Sequence, residues 1–111
     1  SAQPDVTALL VLNDPALAGV VQVLAELGLR VPEDVSLITL ASSLRVGETF
    51  RPALTTYVAA SEETARLGIE QVIDQLENSE HVSRQVLVPC KLVERGSVAP
   101  PRLAPVRMRT A

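Results

Sequence analysis

The sequence predicts an α/β fold: a βαβ unit on a mainly parallel sheet, followed by a second, amphipathic helix and terminal strands. Three observations predict it. Thr7–Leu12 and Val35–Leu40 are short runs dominated by Val, Ile and Leu, the pattern of strands covered on both faces. Between them Asn13-Asp14-Pro15 opens a helix that Gly28 closes. Strand, helix and strand within some thirty-five residues make a right-handed crossover unit.

Taken in order, Thr7–Leu12 gives the first strand. Asn13 or Asp14 caps the next helix, with Pro15 at its first turn and Gly28 as the left-handed residue just beyond Leu27. Gln22 and Glu26, one turn apart, are its only polar interior positions. One side of so apolar a helix can pack on the sheet, and the other calls for a partner. Val31–Asp34 forms a turn before the second strand.

From Ala41 to Ala53 the pattern breaks into a loop with Gly47 and Pro52, and Leu54–Val58 is a third strand. Ser61 is expected to cap the second helix, 61–78, whose first turn carries Glu62 and Glu63. Ala65, Ile69, Val72, Ile73 and Leu76 form one apolar stripe along it. Gln85–Val88 and Lys91–Val93 read as strands flanking Pro89. Residues 1–97 form the folded unit, and 98–111, rich in Pro and Arg, a disordered or loosely attached tail.

Composition excludes several functions. The 111 residues are 47% hydrophobic, enough for one small core, yet only 2% aromatic, which leaves no platform for stacking bases or sugar rings. A net charge of −3 argues against this chain gripping a phosphate backbone. No apolar run is long enough for a membrane span and no signal-peptide pattern opens the chain. Ser1-Ala2-Gln3 is not a natural translation start, so the sequence reads as an excised piece.

No reaction is expected. His81, the single histidine, lies in a polar stretch and reads as a surface-loop residue, without a second histidine for a common zinc site or a triad. The lone Cys90 reads as a small buried hydrophobe and fits a reducing cytoplasm. Ser42-Ser43 lacks a nucleophile-elbow context, and no phosphate-cradling glycine motif is present. No metal and no cofactor are expected. One place stands out: Asn13-Asp14 lies where a parallel strand meets its helix, the location at which open α/β sheets bind small ligands. The bland reading is that both side chains only cap the helix; the functional one is that Asn13 reaches into a cleft.

The ordered set Asn13-Asp14, Ala18-Gly19, Gly28-Leu-Arg-Val-Pro-Glu-Asp-Val-Ser36 and Pro52-Ala-Leu-Thr-Thr56 resembles the lactose-repressor family of bacterial transcription regulators. Leu92–Pro100 is similar to the closing strand of that family, so the resemblance runs from about Thr7 to Pro101. It implies part of a two-lobed effector-sensing domain related to periplasmic sugar-binding proteins, with a helix-turn-helix head elsewhere contacting DNA. Most of the chain would belong to the C-terminal lobe and helix 61–78 to the N-terminal lobe. The effector site would involve Asn13, Asp14, Ala41 and Ser42.

The resemblance also implies a homodimer through Ala18, Gln22, Ala25 and Phe50, the last also read as ordinary core. In the family the second strand is commonly followed by a Gly-aromatic-Asp-Asp sequence, replaced here by Thr39-Leu40-Ala41-Ser42; Ala59 stands at another often polar position. Without a carboxylate to accept paired hydroxyls, the effector is expected to be less hydroxylated than a sugar, or sensing to have decayed. A fragment of an exported solute-binding protein of the same fold is the alternative.

Overall fold

The computed structural model describes residues 5–105. Four strands, β1 (Ala8–Val11), β2 (Ser36–Ala41), β3 (Thr55–Val58) and β4 (Lys91–Val93), form one sheet in sequential order. The first three are parallel, and β4 runs antiparallel to β3 with Tyr57 opposite Leu92. The helices are α1 (Asp14–Glu26), the single turn α2 (Arg45–Glu48) and α3 (Ser61–Glu77). The βαβ unit is as the apolar runs predict.

The ends of α1 follow from local chemistry. The Asn13 side chain accepts a hydrogen bond from the Ala16 N–H at 2.9 Å, satisfying a donor that the first turn leaves orphaned. At the other end Gly28 takes φ 74°, a conformation that L side chains rarely adopt. Its N–H bonds Ala25 O while the Leu29 N–H reaches back to Leu24 O at 2.9 Å. This paired closure satisfies two terminal carbonyls, and Leu29 then packs with the cluster that holds Leu24.

The core is small and lies on one side of the sheet. Leu17 and Leu24 of α1 bury against Val11, Leu37 and Leu54, with Phe50 and Val46 packed around them. Each fully buried Leu contributes about 1.5–3 kcal/mol.

A strap of residues beyond β4 closes the amino ends of the strands. Ser97, fully buried, accepts from the Thr55 N–H at 2.8 Å and donates to Leu37 O, bridging β3 to β2. Ala99 exchanges two 3.0 Å bonds with the Ser36 hydroxyl, and Arg102 donates to Val6 O and Asp34 O. A loose tail was expected from Val98; its first residues are instead stitched across the sheet, because Ser36, Ser97 and Arg102 supply partners that periodicity does not reveal. The expected tail's last six residues, 106–111, lie outside the described residues.

Other expectations are corrected. The Ala41–Ala53 segment contains the helical turn α2. Gln85–Val88 does not pair as a strand, since the antiparallel partner of β3 begins only at Lys91. Ser61 is the first residue of α3 rather than its cap; Ala60 occupies that position without a side-chain bond. Cys90 is exposed, because it precedes an edge strand rather than filling a core position. His81 is nine-tenths buried and pairs with Asp74, one α3 residue that the turn at Asn78 brings within reach.

No residue of α3 is buried. Ile69, Val72, Ile73 and Leu76 remain open, Leu76 at 82%. The radius of gyration is 18.9 Å, whereas a compact chain of this length would have about 13 Å. The excess reflects a helix standing away from its sheet.

Candidate functional site at the carboxyl ends of the parallel strands

Three chain crossings meet where β1, β2 and β3 end. β1 delivers Asn13 and Asp14, β2 delivers Ser42, and β3 runs into Ala59 and Ala60 before α3 starts. The Ala59 N–H bonds Ala41 O at 2.9 Å, which extends the pairing of β2 and β3 to this rim.

Asp14 and Ser42 form the polar heart of the site. The Ser42 hydroxyl donates to Asp14 Oδ2 at 2.7 Å across twenty-eight residues of sequence. Asp14 Oδ1 is buried and has no hydrogen-bond partner among the described residues. A buried carboxylate oxygen without a donor is costly, and the group of this pair that faces the surface is the exposed Ser42 hydroxyl. Asp14 also stands in the first turn of α1, where the helix dipole favours its negative charge.

Beside this pair lies an open hollow floored by Ser42, Ala59 and Ala60 and walled by Ser61, Glu62, Glu63 and Arg66 of α3. Arg66 is clasped by Glu63, with Nε to Oε2 at 3.1 Å, and by Glu70 on the next turn. The bond to Glu63, then the charges of both carboxylates, raise the guanidinium pKa further and fix its direction on the helix. The rim is thus polar on the α3 side and small and apolar on the strand side.

The predicted residues fall into distinct places. Asn13 is exposed and its oxygen is committed to the cap, so the capping role is the one made visible by geometry. Asp14 and Ser42 come together. Ala41 is buried at 2% exposure on the side of the sheet that faces α1 and offers almost no surface to the hollow. Ala18, Gln22 and Ala25 are exposed along one stripe of α1, where Gln22 donates to Glu26 at 3.2 Å. Phe50 is half-buried and packs against the core cluster, apart from the exposed α1 stripe.

Two groupings escaped the sequence reading. Arg95 donates to Leu54 O at 2.8 Å, Thr56 Oγ1 at 3.1 Å and Leu44 O at 3.0 Å, and so ties β3 to the chain entering α2. Arg30 grips Asp34 with two guanidinium bonds of 3.0 Å, while its own N–H adds a third at 2.7 Å. The Arg30 guanidinium and then its backbone N–H hold the Asp34 carboxyl below its ordinary value. The i, i+4 spacing of Arg30 and Asp34 was a readable signal for the second; nothing local announces the first.

Among the described residues, no three His, Cys, Asp or Glu side chains are placed to hold a metal ion. No helix there is long and apolar enough to cross a membrane.

An open parallel sheet with a polar cluster at its strand ends defines a domain of the α/β ligand-binding class. The family model for the periplasmic binding protein-like domain matches residues 1–98, and the chain belongs to that family, in its lactose-repressor-type branch. The chain is 34% identical over 93 residues to the HTH-type transcriptional repressor PurR of Edwardsiella ictaluri, a match covering 84% of this chain and 27% of that protein. It is likewise 34% identical over 99 residues to PurR of Klebsiella pneumoniae, covering 89% of this chain and 29% of the relative.

Solved structures agree. A LacI family transcriptional regulator from Arthrobacter sp. FB24, in complex with lactose, superposes with a TM-score of 0.68 at 29% identity, over 88% of this chain and 37% of that one. A LacI family regulator from Enterococcus faecium with bound ribose gives 0.70 at 27% identity, over 86% and 36%. The chain therefore spans a little over a quarter of the length of the curated relatives it matches.

Proposed function

We propose that this chain is the effector-sensing and self-associating portion of a bacterial lactose-repressor-type transcription regulator, working in the cytoplasm. The observation that carries the effector site is the Asp14–Ser42 pair at the carboxyl ends of parallel strands, whose Ser42 lines the hollow walled by α3. A small molecule bound there and against the α3 rim would favour one arrangement of two lobes over another, and that differential affinity is what changes DNA binding by a helix-turn-helix head outside this chain. Helix α3 is assigned to the N-terminal lobe of the parent. The exposed α1 stripe of Ala18, Gln22 and Ala25 is assigned to a homodimer contact; Phe50 supports it from the core side.

The effector is less hydroxylated than a sugar. Support comes from Ala59 and Ala60, which line the hollow where strand β3 ends and supply no side-chain acceptor there. No reaction is assigned. Relatives that are repressors favour a regulator over an exported solute-binding protein.

The test is calorimetric titration of the intact regulator with lactose, ribose and cellobiose, and with a hydroxyl-poor panel of nucleobases and amides. Binding confined to the second set, lost in Asp14→Ala, is the expected result. Micromolar binding of any of the three sugars would overturn the assignment of effector class, and ligand binding undiminished in Asp14→Ala would overturn the site.

A further inference from the structure

The turn that carries Ser42 onto the hollow is thinly held. Ser42, Ser43 and Leu44 are all exposed, and the helical turn α2 starts at Leu44 without a side-chain cap. An exposed turn buries little of its own surface, so its order depends on what grips its two ends. At one end Asp14 accepts from the Ser42 hydroxyl at 2.7 Å. At the other, Arg95 Nη2 donates to Leu44 O at 3.0 Å.

The Arg95 grip is firmly anchored. Its side chain is 12% exposed, and Nη1 of the same guanidinium bonds Leu54 O at 2.8 Å and Thr56 Oγ1 at 3.1 Å. Its backbone N–H donates to Thr55 Oγ1 at 2.9 Å. The planar fork has one arm on buried groups of β3 and the other on the turn, with the Glu48 carboxylate 3.7 Å away as counter-charge. Gly47 leaves the room that the guanidinium occupies. β3 in turn runs on into Ala59 and Ala60, which line the hollow with Ser42, while Arg95 itself lies outside that lining.

We propose that Arg95 is a positioning residue of the effector site: by holding Leu44 O to β3 it sets where Ser42 stands relative to Ala59 and Ala60. The inference rests on the effector reading of the hollow. A hydroxyl whose turn is fixed at one end only samples more directions, and a ligand that needs one of them binds more weakly for having to order it. Because Arg95 follows β4, the same contact ties the turn to the strand that brings the chain back from α3.

The test uses the intact regulator with Arg95→Ala, Arg95→Lys and Ser97→Ala. Ser97→Ala removes buried hydrogen bonds at the opposite end of the sheet, and so controls for lost stability without a lost grip on the turn. By hydrogen exchange, the amides of residues 43–49 should open about tenfold faster in Arg95→Ala than in Ser97→Ala, the equivalent of one lost hydrogen bond. Calorimetric titration with adenine and with nicotinamide, neither of which carries a hydroxyl, should show binding about tenfold weaker in Arg95→Ala and unchanged in Ser97→Ala. In Arg95→Lys the ammonium serves the buried Leu54 O and Thr56 Oγ1 before the carbonyl of exposed Leu44, so the thermal midpoint should recover while the affinity does not.

Exchange at 43–49 no faster in Arg95→Ala than in Ser97→Ala overturns the proposal. So does affinity that Arg95→Ala leaves unchanged and Asp14→Ala abolishes. Binding that survives Asp14→Ala, or no binding of either probe, counts against the effector reading instead, and the exchange rates then decide alone whether Arg95 sets the turn.

Discussion

Gly47 is the residue at which the smallest perturbation should do the most damage. A methyl group there would lie 2.3 Å from Arg95 Nη1, 2.5 Å from Thr56 Oγ1 and 2.7 Å from Leu54 O. The guanidinium could swing aside, but only by giving up its bonds to Leu54 O, Thr56 Oγ1 and Leu44 O. Leu54 O cannot move so easily: it belongs to the backbone of a buried residue whose N–H is bonded to Gly47 O at 2.9 Å. Overpacking costs about 1–3 kcal/mol, and a lost hydrogen bond from a charged donor about 1.5–3 kcal/mol. Alanine's better helix propensity returns about 1 kcal/mol.

Gly47→Ala should therefore destabilise the domain by roughly 2–4 kcal/mol, a large share of the 5–15 kcal/mol typical of a domain. Urea unfolding followed by far-ultraviolet circular dichroism measures it, and the thermal midpoint should fall by roughly 10–25 °C. The double variant Gly47→Ala/Arg95→Ala should cost less than the sum of the singles, because removing the guanidinium frees part of the space. If Gly47→Ala lies within about 0.5 kcal/mol of the unmodified chain, the close approach inferred between α2, β3 and Arg95 is wrong.

Other expectations are equally direct. Ser97→Ala leaves the Thr55 N–H without its acceptor and Leu37 O without the hydroxyl donor, both buried, and should cost about 2–4 kcal/mol in the same urea assay. Asn13→Ala removes the cap of α1 and should cost about 1 kcal/mol, whereas Asn13→Asp should be nearly neutral; a thermal melt distinguishes them. Asp34 has a folded pKa below its ordinary 3.8, so the stability it contributes is complete above that value and is lost as pH falls from it through the lower, folded pKa. Unfolding free energies measured between pH 5 and 2 should accordingly decline less steeply in Asp34→Asn than in the unmodified chain.

The candidate site was half legible. Topology alone placed Asn13 and Asp14 at a strand end, whereas Ser42 joined them only through what the family resemblance implies. That the Ser42 hydroxyl closes on Asp14, leaving one carboxylate oxygen bare, depends on how β1 and β2 are staggered. The wall contributed by Glu63 and Arg66 depends on the direction in which α3 leaves β3. Ala41 shows the limit of reading by correspondence: its place in the chain pointed to the site, while strand alternation turned it toward α1.

What the sequence determined by itself is whatever rests on neighbours within about one helical turn or along one strand. The apolar runs dictated β1 and β2, Asn13 and Gly28 dictated where α1 starts and stops, and the spacing from Ala65 to Leu76 dictated the amphipathic α3. Only the tertiary structure decided that Arg95 pins α2, that Ser97 and Arg102 carry the chain across the sheet, and that Gln85–Val88 stays unpaired. Those contacts join residues forty or more positions apart, or fail to form for want of a neighbour. The physical reason is that a polar side chain far along the chain has no periodicity to betray it; its partner is chosen by where the packed strands leave a donor or an acceptor unsatisfied.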